Sequence, residues 1–353
     1  MRFKIVITQR EEVEERKPLV IVFIITSLFF LLFITSLITS TSFPYLVLQF
    51  LQSYIDLNTL RYFGTLTILG LALSISYHAK IWNIGAEGQL VVGAIGATFI
   101  ALYTSLGTIP ILGILVGTIL GALFGALWSL IPGLAKTYIG LNETLSTLLL
   151  NYIAYYVVDY LVYGPWRGSY VHGYPETDLI PSTCWLPHFP GYSFSIPVVF
   201  LAIVLIPLTH VLLYRTRLGI AIRAYGSSPR VVEISGFSSR KIVLTVFILS
   251  GALAGLAGAL EIFAVQRKLV PGAKIGAGLG YTAIVIAWLA NLSPKYIPLA
   301  AYFLSGLLVF RYVVQIGAQG IGDSFAWIFI GLALLITMIS RALTMYKIRI
   351  VRV

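Results

Sequence analysis

The chain has 353 residues, of which 58% are hydrophobic and only 10% charged. A soluble domain carries about 25% charge, so this little charge cannot coat a globule of this size, and lipid must be the solvent over most of the surface. The net charge of +11 is spread in short clusters between apolar runs, which is the loop pattern of a membrane protein and argues against nucleic acid as a partner.

The single cysteine, Cys184, excludes a disulfide within the chain, and no G-x-x-x-x-G-K-[ST] phosphate loop occurs. The first apolar run, 19–38, has no charge and is long enough to cross about 30 Å of hydrocarbon. It follows the charged stretch 11–17, is too long for a signal peptide and lacks a small-residue cleavage site, so it reads as a retained helix. Further runs follow at 62–77, 90–106, 109–131, 137–163, 196–213, 242–264, 281–292, 297–314 and 324–339. The expected fold is an all-α, polytopic membrane protein of about ten transmembrane helices, a single permease-like domain over 1–353. The run 281–292 is too short for a straight span at 1.5 Å per residue. It is either a half-helix or a span that begins in the glycine-rich stretch 272–280, so broken or re-entrant segments are expected.

Ten crossings put both ends on one side. Lys and Arg gather in 1–17, 215–241 and 341–352, which places the N-terminus, the C-terminus and the 215–241 loop in the cytoplasm. The segment 164–195, with Pro165, Trp166, Pro175, Pro181, Pro187 and Pro190, is then an ordered external loop or cap.

Gly113, Gly117, Gly121 and Gly125 stand four apart, and Gly251, Gly255 and Gly258 repeat the device. Both stretches predict close helix packing rather than a substrate site. The segment Asn83-Ile84-Gly85-Ala86-Glu87-Gly88-Gln89 sets polar groups and two glycines between apolar runs. Irregular backbone at membrane depth is tolerated only where it is buried or lines a cavity. A helix starting near Gly88 would point its free N–H groups into such a cavity. The competing reading is a cytoplasmic turn, with Glu87 answering the helix dipole. Farther on, Glu143, Thr147, Asn151, Tyr155 and Asp159 recur every four residues on one helical face, with Asn142 beside them. They form either the polar wall of a translocation path or a set of interhelical hydrogen bonds. Asn83, Glu87, Gln89, Asn142, Glu143, Thr147 and Asn151 are therefore the substrate-path candidates. Asp159 lies near the outer end of its run, where water can reach it. Glu261 and Asp323, at the ends of their runs, read as interfacial. Cys184, His172 and His188 lack the compact spacing of a metal site.

In the 215–241 loop, Pro229 can start a short helix with Ser228 as its cap, and Gly236 can end it. This predicts a two-turn cytoplasmic helix over 229–235 that could dock on a soluble partner. Here a resemblance becomes specific. Arg215, Thr216, Gly219, Arg223, Ala224, Gly226, Pro229 and Gly236 match the ATPase-docking loop of ABC importer permeases of the simple-sugar and nucleoside branch. Residues 83–89 match that branch's N-I-G-A-E-G-Q signature, with Trp82 in place of the usual Phe. Leu141-Asn142-Glu143 with 150–154, and 249–261, resemble two further elements. The chain departs at Val231-Val232, where Ala-Ala is usual, at Ser228, where Asn is usual, and at 279–289, where the usual aspartate is absent and Trp288 adds bulk.

The resemblance implies the transmembrane permease of an ATP-driven importer for nucleosides or simple sugars in a prokaryotic plasma membrane. It implies no chemistry and no cofactor in this chain; ATP and Mg would sit on a separate cytoplasmic ATPase. That ATPase would grip Arg223, Gly226, Pro229, Arg230, Val232, Glu233 and Gly236. It also implies an external substrate-binding protein and a second related permease chain, or a second copy of this one. An ion-coupled secondary transporter of a small polar solute is the alternative, since 62–106 and 242–292 enter from opposite sides like an inverted repeat. Such a transporter needs no docking loop. A membrane-embedded enzyme would need a histidine or cysteine cluster, which the spans lack.

Overall fold

The computed structural model describes residues 3–9, 17–169, 173–317 and 346–352, together with 328, 331, 332, 335, 336 and 339. The chain divides into two compact units, Met1–Thr59 with Gly306–Val353, and Leu60–Ser305.

In the first unit, β1 (Phe3–Gln9) pairs antiparallel with β2 (Tyr346–Arg352), Phe3 opposite Arg352 and Gln9 opposite Tyr346. This pair modifies the all-α expectation. Its alternating isoleucines, Ile5 and Ile7 against Ile350 and Ile348, suit a pleated ribbon. Helix α1 (Lys17–Thr39) is the first apolar run. Helix α2 (Phe43–Ile55), with Pro44 in its first turn, was not predicted. Gln49, Gln52 and Ser53 interrupt its apolar sequence, and it buries Leu46 and Ser53. Phe50 meets Phe310 edge-on at 5.3 Å between ring centres. Phe310 belongs to α13 (Ile297–Gly317).

The second unit contains α3 (Thr59–His78), α4 (Ala86–Tyr103), α5 (Leu112–Leu134), α6 (Glu143–Tyr163), α7 (Ile196–Arg215), α8 (Arg217–Ser227), α9 (Pro229–Ile234), α10 (Ser239–Glu261), α11 (Gly272–Gly276) and α12 (Leu279–Leu289). Among the described residues, seven segments are long and apolar enough to cross a membrane. They are α3, α4, α6, α7, the π-turn extensions Leu112–Ile139 and Ser239–Gln266, and Gly272–Leu289. The expected tenth run, 324–339, falls almost wholly outside the described residues, as do Asp323 and His172. The short run 281–292 proves to be the second half of a broken span. The one-turn α11 and α12 are separated by left-handed Ala277 (φ 47°) and Gly278 (φ 78°).

Helices α3 and α4 are the centre, each 83% buried over its most apolar window, against 22% for α7. The glycine runs explain how. A Cβ on Gly93 of α4, Gly125 of α5 or Gly255 of α10 would run into the backbone of a neighbouring helix in each case. Three helix backbones therefore touch, as the four-residue spacing predicts. Ser129 Oγ adds a 2.7 Å bond to Phe247 O. The segment 164–195 is pinned down through Thr177 N to Leu269 O (3.0 Å), Leu186 N to Phe263 O (3.0 Å) and a 2.6 Å Lys268–Glu176 ion pair. Glu261 is a correction. It is buried in the bundle rather than exposed at the end of its run, and accepts a 3.0 Å bond from Arg61 and a 3.3 Å bond from Thr65 Oγ1.

Replacing Gly255 with leucine should prise these backbones apart and cost more than about 2 kcal/mol. We expect a lowered melting temperature and poor recovery of the detergent-solubilised protein. Ile119→Ala, at a position 60% exposed, should change neither by a comparable amount.

Candidate functional site

Residues 81–84, between α3 and α4, are irregular, and α4 begins at Ala86. The segment folds on its own polar groups. Asn83 Oδ1 accepts from Gly85 N (2.8 Å) and from Gln89 Nε2 (3.1 Å). Asn83 Nδ2 donates to Gln89 Oε1 (3.2 Å) and Ser250 Oγ (3.1 Å). Tyr77 OH donates to Asn83 O at 3.2 Å. Gly88 is required here, because a Cβ would lie 2.9 Å from the Asn151 backbone.

Helix α6 holds this bend with its four-residue stripe. Thr147 Oγ1 accepts from Ile84 N at 3.1 Å. Asn151 accepts from Gly88 N at 2.8 Å and donates to Ile84 O at 2.9 Å and Tyr281 OH at 3.1 Å. Tyr155 OH donates to Glu87 Oε1 at 2.9 Å, and Asp159 accepts from Gly272 N at 2.9 Å. Each residue of the stripe from Thr147 to Asp159 is thus bonded to a break or to the first turn beyond one in another part of the chain. Asn151 lies eight residues beyond Glu143, about 12 Å along the helix axis. The bend therefore sits within the bundle, and the reading as a free cytoplasmic turn is overturned.

Glu87 is the node. It is fully buried, in the first turn of α4. Besides Tyr155 it accepts from Gly278 N (2.9 Å) and Gly280 N (2.6 Å) at the start of α12. A carboxyl group thus lies where two helix N-termini meet, and both dipoles favour it.

The structure brings Asn83, Glu87, Gln89, Thr147 and Asn151 into one buried network and leaves two candidates elsewhere. Asn142 is the N-cap of α6, accepting from Thr144 N at 2.9 Å and Leu145 N at 3.2 Å. Glu143 pairs with Lys136 at 2.7 Å in a crevice of about 490 Å³, shared with Tyr225 and Arg240. The expectation of free N–H groups at the start of α4 is corrected, since the Gly88 donor is taken by Asn151. Tyr77, Ser250 and Tyr281 join the network without a spacing signal, because none of them belongs to a four-residue polar repeat.

The 215–241 loop holds two helices. The first, α8, was not predicted; Thr216 Oγ1 caps it by accepting from Gly219 N at 3.0 Å. Arg223 Nε donates to Leu213 O at 3.1 Å, and Gly226 lets α8 close on His78 O, where a Cβ would clash. The predicted short helix is α9, Pro229–Ile234, ended by Gly236 at φ 81°. Ser228 holds the N-cap position, but its side chain makes no capping bond. Val232 is a second correction. It is 1% exposed and belongs to the chain's own apolar core, so it offers no surface to a partner. Ile234 at 88% and Val231 at 50% carry the exposed apolar surface, beside Arg230 and Glu233.

Among the described residues no cluster could hold a metal. Cys184 faces Gly107 O, with its thiol pushed up by burial, while His188 bonds Arg267 and is held below its usual range by burial and by that guanidinium.

Residues 55–339 match the family described as the branched-chain amino acid transport system permease component. The chain is 30% identical over 295 residues to a glucose ABC transporter permease, TsgB13, of Haloferax volcanii, covering 81% of this chain and 76% of that one. It is 28% identical to the nucleoside ABC transporter permease NupB of Lactococcus lactis, covering 74% and 71% respectively. It is 27% identical to the guanosine ABC transporter permease NupP of Bacillus subtilis, covering 71% and 72%. No solved structure matches. The chain belongs to this permease family. It is the multi-pass membrane permease subunit of an ABC importer, a transport component and not an enzyme, and the family implies an ATPase and a substrate-binding protein as partners.

Asn151→Leu removes three hydrogen bonds and strands the Gly88 donor, at about 1–3 kcal/mol for each buried group left unpaired. Tyr155→Phe removes one bond to Glu87. The leucine variant should lower the melting temperature more than the phenylalanine variant, and only the former should abolish uptake while still inserting in the membrane. Equal stability of wild type and Asn151→Leu would overturn the network's role.

Proposed function

We propose that this permease imports nucleosides or simple sugars across the plasma membrane of a prokaryote, with both termini cytoplasmic and an even count of about ten crossings. The reading of the substrate rests on the glucose and nucleoside permeases that resemble the chain over most of its length. Orientation is supported by the Lys and Arg of the 215–241 loop and by the pairing of β1 with β2, which needs both ends on one side. Family membership sets aside the ion-coupled secondary transporter. The chain works beside a second related permease or a second copy of itself, and receives substrate from the external binding protein. ATP and Mg act on the ATPase, so this chain holds no cofactor.

The observation that carries the coupling is α9, a short helix between two spans, opened by Pro229 and followed by Gly236, with Ile234 almost wholly exposed. Arg223, Gly226 and Val232 seat the docking loop on its own bundle, and Pro229, Arg230, Glu233, Ile234 and Gly236 meet the ATPase. Val232 shares one apolar cluster with Ile75, Ala79 and Ile81, which lead directly into the 83–89 bend. Movement of α9 thereby reaches the latch at Glu87, Thr147 and Asn151. Opening that latch lets α4 and α12 part beside the path, while Asn142 and Glu143 border its cytoplasmic mouth.

The two halves of this reading are tested separately. Cells carrying the complete transporter should accumulate either labelled guanosine or labelled glucose in an ATP-dependent way, and accumulation of neither would overturn the substrate class. Ile234→Asp should abolish co-purification of the ATPase without changing the permease's own melting temperature. Val232→Asp should instead unfold the permease locally, since an unpaired carboxylate in an apolar core costs several kcal/mol. Full ATPase recovery with Ile234→Asp would remove α9 from the interface.

A further inference from the structure

Beneath the docking loop lies a second cavity, of about 420 Å³, lined among others by Tyr77, His78, Lys80, Trp82, Arg223 and Trp288. This volume suits a ligand of nucleotide or sugar-phosphate size. Its walls come from three places. The end of α3 and the bend supply Tyr77 to Trp82, α12 and its exit supply Trp288 and Leu292, and α8 supplies the rest.

One wall is aromatic. Trp82 and Trp288 stack at 5.4 Å with 19° between their planes, and Tyr77 lies 5.7 Å from Trp82 and 6.2 Å from Trp288. Trp82 is 45% exposed, so this wall presents ring surface outward. Two cations line the cavity as well, Lys80 from the bend and Arg223 from α8, and no carboxylate is among the lining residues. Among the described residues neither cation has an ion-pair partner within 4.0 Å. His78 is already committed, through Nδ1 to Ser74 O at 2.8 Å and Nε2 to Tyr214 OH at 3.0 Å. Arg223 uses its Nε on Leu213 O and lies 4.9 Å over the Tyr214 ring, which leaves its terminal nitrogens for another acceptor.

Two uncompensated cations on separate elements, facing an aromatic wall, call for an anionic phosphate group attached to an organic body that can pack against the rings. We propose that this cavity binds a phosphate-bearing ligand, its phosphate between Lys80 and Arg223 and its organic part against Trp82 and Trp288. Because the walls belong to the bend, α12 and the docking loop, the bound ligand would tie these three elements together and hold the transporter in one state. A soluble phosphorylated ring compound and a phospholipid headgroup share this chemistry. The inference rests on the proposed function only for the side of the membrane on which the cavity opens.

The test uses the full chain in detergent, where both faces are accessible, and reads binding rather than transport; the Lys80 and tryptophan variants separate this cavity from the transport path. Adenosine 5′-monophosphate and glucose 6-phosphate are titrated by calorimetry, with adenosine and glucose as uncharged counterparts. Retention of phosphatidylglycerol through purification is measured by mass spectrometry. At least one phosphate-bearing probe, or the lipid, should bind. Lys80→Gln and Trp288→Leu should each weaken it about tenfold, as expected for one lost charged or stacked contact. Trp82→Leu serves where Trp288→Leu folds poorly. Binding of a soluble probe places the ligand in the cytosol, and retention of the lipid alone assigns the phosphate to a headgroup; both support the site. Binding of none of the three, or binding undiminished in Lys80→Gln and in the tryptophan variant, would overturn it.

Discussion

A helix that breaks inside hydrocarbon frees N–H groups that water cannot reach, and each must find an acceptor within the protein. Two chain breaks meet here, one ahead of α4 and one ahead of α12, and Glu87, in the first turn after the one, accepts from the N–H groups of the other. Its two oxygens take Gly278 N, Gly280 N and Tyr155 OH, so one carboxyl group satisfies an N-terminus in another helix while standing in the first turn of its own. Aspartate would be shorter by a methylene, and glutamine would turn an NH₂ toward a backbone donor. The neighbouring glycines follow from the same constraint. A Cβ at Gly276 or Gly280 would collide with Glu87 itself, so α12 can come this near only without side chains.

The rest of the bundle keeps that meeting point in place. The glycines of α4, α5 and α10 let three backbones touch, and the contact surface has no long side chains to repack. Such a core is stiff, because no rotamer change can open it. On the other flank, α6 adds hydrogen bonds to its close approach at Gly88. Thr147, Asn151, Tyr155 and Asp159 reach both breaks. Hydrogen bonds can be exchanged one at a time where backbone contacts cannot. The bundle thus joins a rigid face, α4 on α5 and α10, to a releasable one, α4 on α6 and α12.

Much of this was legible in the sequence. Glycines four apart identified the packed helices, and polar residues four apart identified the inward face of α6, because both patterns follow the helical repeat. The bend at 83–89 stood out for the same reason that it is costly, since polar groups and glycines interrupt apolar runs. What the repeat cannot supply is the partner. Nothing near Glu87 in sequence points to Gly278 or Gly280, nearly two hundred residues away. Glu261 looked interfacial for that reason too, as its partner Arg61 belongs to a different span. Val232 was misplaced because a six-residue helix has too few positions to establish an apolar face. Ile234 and Val232 are equally apolar, and only the tertiary fold decides which of them turns inward.

On the proposed reading, the position of Val232 also decides how force travels. A push on α9 falls on the cluster of Val232, Ile222, Ile242, Val246 and Phe247, with Ile75, Ala79 and Ile81 on its far side. A close-packed apolar cluster transmits displacement rather than absorbing it. Helix α10 is a poor outlet, because its glycines are locked against α5 and α4. The irregular stretch 81–84 has no helical hydrogen bonds to break, so it is the softer neighbour. It ends at Asn83 and Ile84, whose bonds to Gln89, Ser250, Thr147 and Asn151 are side-chain contacts that can be exchanged. The docking helix therefore acts first on the bend, and the bend acts on the start of α4. Glu87 then lies at the point where that displacement must either carry α12 along or release it.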